Sequence, residues 1–310
     1  VLQKEPQKIY YIVIDRLDEQ WIEDSIRYKL LRTLIDTMAF LNKKITGLKI
    51  VAGFRLDLLT RVYELSKEGG FQREKYKDLE LNLAWDHTWL EELMDKRVNK
   101  LVRSTYSVSE PVSAASILPD LIDKRPAIDY MLDRTLLRPR DIIDFFNTSI
   151  ALAKGSPMLT AEVVKEAEGT YSKSRLASLA DEWRSDYAHL EIALSELLRG
   201  RFRSFHLRDI DDSLIEEFCL RYAVREESPA KDVILDLSRS VAELKMGFSE
   251  FRARIASIFY RVTAIGLKPE GYEAMAWSHT DLTAMHYRYL DDDVPAAIHP
   301  SLWRALSVRG

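Results

Sequence analysis

What is scarce in these 310 residues limits what the chain can be. Cys219 is its only cysteine, which excludes an internal disulfide and a cysteine-bound zinc and fits a reducing cytoplasm. It lies between Phe218 and Leu220, the setting of a buried structural thiol rather than a nucleophile. Charge of either sign is not in excess: 45 Lys and Arg against 49 Asp and Glu leave a formal net charge of −4. That gives no global pull toward nucleic acid or an anionic membrane and leaves only local patches to consider. No apolar run approaches spanning length and no signal-peptide pattern opens the chain, so no membrane partner is expected. His87, His189, His206, His279, His286 and His299 are scattered, without a His-Glu-x-x-His or other paired metal spacing. His279 and His286 could face each other across a turn, but a zinc ion there would need two more ligands. There is no Gly-x-Ser-x-Gly elbow, internal repeat or low-complexity segment. Nor is there a Gly-x-x-x-x-Gly-Lys-Ser/Thr phosphate loop; Lys154-Gly155-Ser156 lacks the first glycine and the strand before it. With 30% charged and 46% hydrophobic residues, the remainder is an ordinary globular composition, long enough for two or three domains.

Against those absences one stretch stands out: Tyr10-Tyr11-Ile12-Val13-Ile14-Asp15-Arg16-Leu17-Asp18-Glu19-Gln20-Trp21. Its short continuous apolar run predicts a strand buried on both faces, as in the middle of a parallel sheet. Ligand crevices of such sheets lie at the strands' carboxyl ends, and a carboxylate buried there is costly unless it serves a metal or a catalytic proton. This is the shape of a Walker B strand. Asp15 would hold the water shell of a nucleotide-bound Mg²⁺, and Asp18 or Glu19 would polarise the attacking water. The other reading is a buried strand with an acidic exit turn. The chain opens at Val1 and is in this strand by Ile9, without an earlier strand to pair with, so a fragment of a longer protein is expected.

Helical spacing of Ile22, Ile26, Leu30, Leu34, Met38 and Leu41 predicts a helix over one sheet face. Leu48 to Phe54 is the next short apolar run, and strand, helix, strand makes one right-handed parallel crossover. Arg55 at its exit could touch a terminal phosphate, or pair with Asp57 or Asp18. Leu79, Leu81 and Leu83 alternate as a third strand, and Trp85, Trp89, Leu93 and Arg97 follow on a helix. Residues 104–127 hold Ser and Pro with little periodicity, which predicts a long loop. Nearly everything after that is helical. Arg138-Pro139-Arg140-Asp141 opens one helix, with proline in its first turn. Thr160 caps the next, and Leu176 to Leu197 form the strongest apolar stripe, closed by Gly200. The run from Arg199 to Arg208 interleaves arginines with Phe202 and Phe205, a pattern that can grip a nucleic-acid backbone or merely cover neighbouring helices. Helices around Phe218, Leu237 and Phe259 precede two alternating segments, 274–278 and 285–290, in the order of helices followed by a small hairpin. Ile298 to Leu306 reads as a final capped helix.

Taken together, these segments resemble the bacterial P-loop ATPases of the STAND and AAA+-related group, including the KAP-like branch, from Walker B to the C-terminus. Ile12 to Glu19 is similar to the acidic Walker B signature, and Ile50 to Asp57 to a sensor-1 strand ending in Arg. Leu83-x-Trp85 with Leu90, Leu93 and Arg97 looks like the segment that follows it. Arg138 to Asn147 is similar to the helix at the sensor-2 position, and Ile298 to Leu306 to a winged-helix end. The resemblance implies an α/β plus all-α fold in three parts. These are a partial parallel-sheet P-loop core at 1–105, a helical lid at 106–200 and a winged-helix-like domain at 201–310. It implies a cytoplasmic protein that uses Mg²⁺ and ATP as a switch. Such a protein works as a homo-oligomer or with a partner protein in stress response, DNA maintenance or defence against phage. Asp15 would be the metal ligand, Glu19 or Asp18 the residue orienting the lytic water, Arg55 the γ-phosphate sensor and Arg140 the link to the lid. Without a phosphate loop, these 310 residues alone should neither bind ATP tightly nor hydrolyse it. The competing expectation is a non-enzymatic winged-helix module that binds DNA or a protein, with Asp15 and Arg55 structural.

Overall fold

The computed structural model describes residues 8–17, 24–66, 73–106, 110–156, 158–225, 232–280 and 285–310. The chain divides into two compact units, Val1–Ala84 and Trp85–Gly310. It is rich in helix, with small sheets.

The first unit contains the expected crossover. Strand β1 (Tyr10–Ile14), helix α1 (Asp24–Lys44) and strand β2 (Leu48–Ala52) follow one another, and the strands pair in parallel from Tyr10↔Leu48 to Ile14↔Ala52. Near its end α1 places Asn42 against β2, where its side-chain amide accepts from the Ile50 N–H at 2.7 Å and donates to the Ile50 carbonyl at 3.1 Å. That amide stands in for a neighbouring strand and closes part of the outer edge of β2. Helix α2 (Leu56–Ser66) packs Leu58 and Val62 on Leu31 of α1.

Three expectations fail here. The apolar strand is not buried on both faces: Ile12 is 47% and Val13 74% exposed. Faces are covered by layers packed on a sheet rather than by neighbouring strands, and the described elements of this unit leave these side chains uncovered. The buried face of α1 runs through Leu31, flanked by Tyr28 and Ile35, while Ile26 and Leu30 of the expected stripe face solvent. The Leu79–Leu81–Leu83 alternation does not form a strand either. Lys77–Leu79 is a 3₁₀ turn, and Leu81 and Leu83 are each 83% exposed, since an alternating segment with no partner ladder has nothing to pair with.

The second unit begins with helix α3 (His87–Tyr106), whose Leu90, Met94 and Val98 face inward. The described part of the expected loop is packed rather than free. The Ala114 N–H donates to Asp95, the Leu159 N–H to the Ile117 carbonyl, and Leu118 and Ile122 are buried. A small hairpin pairs β3 (Leu121–Ile122) with β4 (Arg125–Pro126). Its turn residues Asp123 and Lys124 both have positive φ, 49° and 66°, the backbone that a two-residue hairpin turn demands. Helices α4 (Ala127–Leu132), α5 (Pro139–Leu152) and α6 (Ala161–Glu182) complete a core around Met131, Phe145 and Tyr171. As expected, Pro139 opens α5, and the Thr160 side chain caps α6 by accepting the Val163 N–H.

The long stripe from Leu176 to Leu197 is broken into two helices, with α7 spanning Leu190–Leu198. The break needs no glycine or proline, because the Asp186 and Tyr187 N–H groups both turn back onto the Trp183 carbonyl. After α7 come β5 (Ser204–His206), α8 (Asp212–Ala223), α9 (Val233–Ala242), α10 (Phe248–Arg261), β6 (Ile265–Leu267) and β7 (Pro295–Ile298). The strands form one antiparallel sheet in the order β5-β7-β6. The two segments expected to pair as a hairpin do not. Ala276 bridges to Leu267, and Tyr287–Tyr289 is a 3₁₀ turn. Residues 298–306 are the end of β7 and a 3₁₀ turn at Pro300–Leu302 rather than a helix. Cys219 is buried in this second core, and burial pushes its thiol up to about 12, so it is structural as expected.

Candidate functional site

Both strands of the first unit deliver their chemistry to one edge. Asp15 follows the last residue of β1, and Arg16 turns the chain sharply with φ 58° while its N–H donates to Asp15 Oδ1 at 2.9 Å. Gly53 follows β2, and its N–H donates to the Ile14 carbonyl at 2.9 Å. A Cβ at Gly53 would lie 3.3 Å from Asp15 Oδ1, so the glycine lets the second strand leave close beside the carboxylate. Arg55 comes two residues later and is half-buried. Asp18 and Glu19 lie outside the described residues.

Asp15 is exposed, so its charge carries no burial cost and burial gives no argument for a metal. What fits a metal is chemistry. Mg²⁺ keeps much of its water and takes one or two carboxylates plus substrate phosphates, so a single carboxylate at this edge suits a nucleotide-bound Mg²⁺. It does not suit an all-protein cage, and among the described residues no three His, Cys, Asp or Glu side chains converge on a metal position.

Arg140 is exposed in the first turn of α5, and its neighbours rather than Arg140 itself are engaged. Arg138 donates to both oxygens of Glu182 at 3.1 and 3.2 Å. Glu182 also takes Arg175 at 3.3 Å, and Arg175 lies 3.8 Å from Asp141, which accepts the Leu136 N–H. Burial alone would raise the Glu182 carboxyl; Arg175 and Arg138 outweigh it and hold the group below its usual range.

A second buried charge set lies on the same helix α6 and was not anticipated. Glu168 accepts from Arg134 Nε at 2.8 Å and from the Tyr130 hydroxyl at 2.6 Å, with Arg304 Nε at 3.4 Å. The Arg134 guanidinium lies 3.4 Å above the Tyr130 ring. Four residues on, the Ser172 hydroxyl donates to the Ser301 carbonyl and accepts the Ala305 N–H. The signal in the sequence was the spacing of Glu168, Ser172 and Arg175, which puts polar side chains on one helical stripe beside Val164 and Tyr171.

His279 is partnered by His299, not by His286. The two rings stand 5.1 Å apart, and Trp277 is 5.1 Å from His299. His299 Nδ1 meets Ser301 Oγ at 2.9 Å, whereas His279 Nδ1 is buried with no hydrogen-bond partner. Burial, aided by Arg138, pushes His279 down to about 4; burial, His279 and Arg175 hold His299 well below its ordinary value. Unfolded, a histidine binds its proton near 6.5. Between that value and 4 the unfolded chain binds more protons than the folded one, so stability present above about 6.5 is lost as pH falls. His279 alone should remove about 2–3 kcal/mol between pH 7.5 and 4.5. Urea unfolding at the two pH values should show a smaller drop for His279→Gln than for the wild type. Equal drops would contradict the assignment.

Helices α3 to α6 and the core running from Leu90 to Tyr171 thus form one block. Residues 88–180 match the FunZ_C family, the FunZ-associated C-terminal helical domain. The match begins inside α3 and ends inside α6, so it takes in Arg134, Arg138, Arg140, Glu168 and Arg175 and stops just short of Glu182. No match was found among curated proteins or solved structures. Among the described residues no helix is long and apolar enough to cross a membrane.

Proposed function

We propose that this chain is the Walker B-to-C-terminus part of a P-loop ATPase, in which Mg-ATP binding and hydrolysis switch a helical module, with the phosphate loop supplied by further polypeptide. The observation that carries the reading is the parallel pair β1–β2, which delivers Asp15 and the Gly53–Arg55 exit to the same carboxyl edge. Ligand crevices of α/β sheets lie at such edges. Asp15 would hold Mg²⁺, Glu19 or Asp18 would orient the water, and Arg55 would face the terminal phosphate. The bound Mg²⁺ supplies charge neutralisation along the phosphates. Exposure of Tyr11, Ile12, Val13 and Val51 supports the reading too, since parallel sheets are ordinarily covered on both faces. Among the described residues no strand pairs with the outer edge of β1, which leaves a place for more sheet. A matched domain described as C-terminal also agrees with a module attached to something larger.

The element order in the last part of the chain supports the winged-helix-like reading. One strand, three helices and two more strands occur in order, with the final strand inserted between the other two. Helix α10, which precedes β6, is buried along most of its length, so it is not available to enter a DNA groove. That favours a packing or partner-binding role for this domain over major-groove reading.

Backbone amides and a lysine of a phosphate loop have no replacement in these residues. The 310-residue chain by itself is therefore expected to show no micromolar binding of a fluorescent ATP analogue. Saturable micromolar binding by this chain would overturn the division of labour proposed here.

A further inference from the structure

We infer that Arg199, Phe202, Arg203 and Arg309 form a binding surface for single-stranded nucleic acid. Gly200 takes the left-handed conformation, φ 72°, and turns the chain out of α7 into an exposed segment. That segment is fixed by its backbone. The Gly200 N–H donates to the Leu306 carbonyl at 2.8 Å, the Arg309 N–H to Arg201 at 2.7 Å and the Arg203 N–H to Arg309 at 3.1 Å. Phe202 is thereby bridged to Arg309 and is itself 60% exposed. Arg199, Arg203 and Arg309 are all exposed; Arg199 lines the same cavity as Phe202, and Arg203, the next residue, is steadied over the Trp303 ring at 4.2 Å. A cavity of about 510 Å³ opens alongside, lined by Arg199, Phe202, Ser204, Phe205 and Asp209 among others.

The other charges nearby are already engaged. Arg201 donates to the Leu197 and Asp209 carbonyls, Arg208 pairs with Asp293, and Asp209 accepts the His206 N–H at 2.7 Å. No carboxylate among the described residues forms an ion pair with Arg199, Arg203 or Arg309. An outward aromatic side chain on a segment that also exposes three arginines matches the chemistry of an unpaired base between phosphates. A duplex keeps its base faces stacked inside, so the ring selects single strands. An acidic peptide would satisfy the arginines but leave the ring without a function.

The test is fluorescence anisotropy of the full chain with labelled oligothymidylate, oligouridylate and a polyglutamate peptide, across a salt series. Both oligonucleotides, or one of them, should bind more tightly than the peptide, and which one binds better tells DNA from RNA. Phe202→Leu keeps the apolar bulk but cannot stack as a ring does, and should weaken binding about tenfold. Arg199→Gln with Arg309→Gln should reduce the salt slope by about 1.4, from roughly 0.7 per phosphate contact. Lys245→Gln, which removes a lysine paired with Glu243, should change neither quantity. Circular dichroism would check that each variant is folded. No saturable oligonucleotide binding at low salt, peptide binding as tight as the oligonucleotides', or indifference to Phe202→Leu would overturn the inference.

Discussion

Glu168→Ala is expected to lower the stability of the second unit by about 3–5 kcal/mol, the cost of leaving a buried charge without its partner. The Glu168 side chain is 3% exposed and that of Arg134 9%. Removing the carboxylate leaves the guanidinium and the Tyr130 hydroxyl without the acceptor they share, and Arg304 loses its contact as well. Exposed pairs of the same chain, such as Lys96–Glu92, should each matter by less than about 1 kcal/mol. Replacing Glu168 and Arg134 together by methionine should recover part of the loss, since two apolar side chains do not strand a charge. Urea unfolding gives the answer directly: a Glu168→Ala midpoint close to wild type would show that the buried pair does not hold this unit together.

The second large effect concerns catalysis in a chain that also carries a phosphate loop. Glu19→Gln and Arg55→Ala are each expected to slow ATP hydrolysis by about 30- to 900-fold, the rate equivalent of roughly 2–4 kcal/mol for a preorganised charge stabiliser. Affinity should respond differently. If Glu19 orients the water as proposed, Glu19→Gln removes that group while nearly preserving side-chain size, so ATP should still bind and persist unhydrolysed. Arg55→Ala would remove the proposed phosphate contact and should weaken binding as well. Single-turnover hydrolysis beside equilibrium nucleotide binding separates the two. Rates within threefold of wild type for both variants would count against the assigned roles.

The sequence carried the local order of this protein better than its surroundings. Tyr10 to Ile14 and Leu48 to Ala52 were legible as parallel strands around a helix, because short apolar runs and helical periodicity are local signals. That β1 would be exposed was not legible, since an apolar run records the cover a strand is suited to and not the cover a given polypeptide provides. Helix α6 was found from its Thr160 cap and its stripe, yet its most consequential residues, Glu168 and Arg175, were not singled out. Their partners Tyr130, Arg134, Asp141 and Arg304 are remote in sequence, and only packing brings them together. The same holds for His279, which meets His299 across a fold that no spacing rule anticipates. At the candidate site, the shared carboxyl edge of Asp15 and Arg55 followed from the parallel strand order, the close approach of Gly53 to Asp15 did not, and in the α5 segment Arg138 is the engaged arginine.

The most direct test of the switch reading is magnesium-dependent ATP hydrolysis by this chain joined to the polypeptide that supplies its phosphate loop, wild type beside Asp15→Ala. The expected result is turnover that requires Mg²⁺ in the wild type and is abolished in the folded Asp15→Ala variant. Turnover unchanged by Asp15→Ala, or a joined wild-type chain that neither binds nor hydrolyses ATP, would contradict it and leave the acidic turn after β1 as a structural feature.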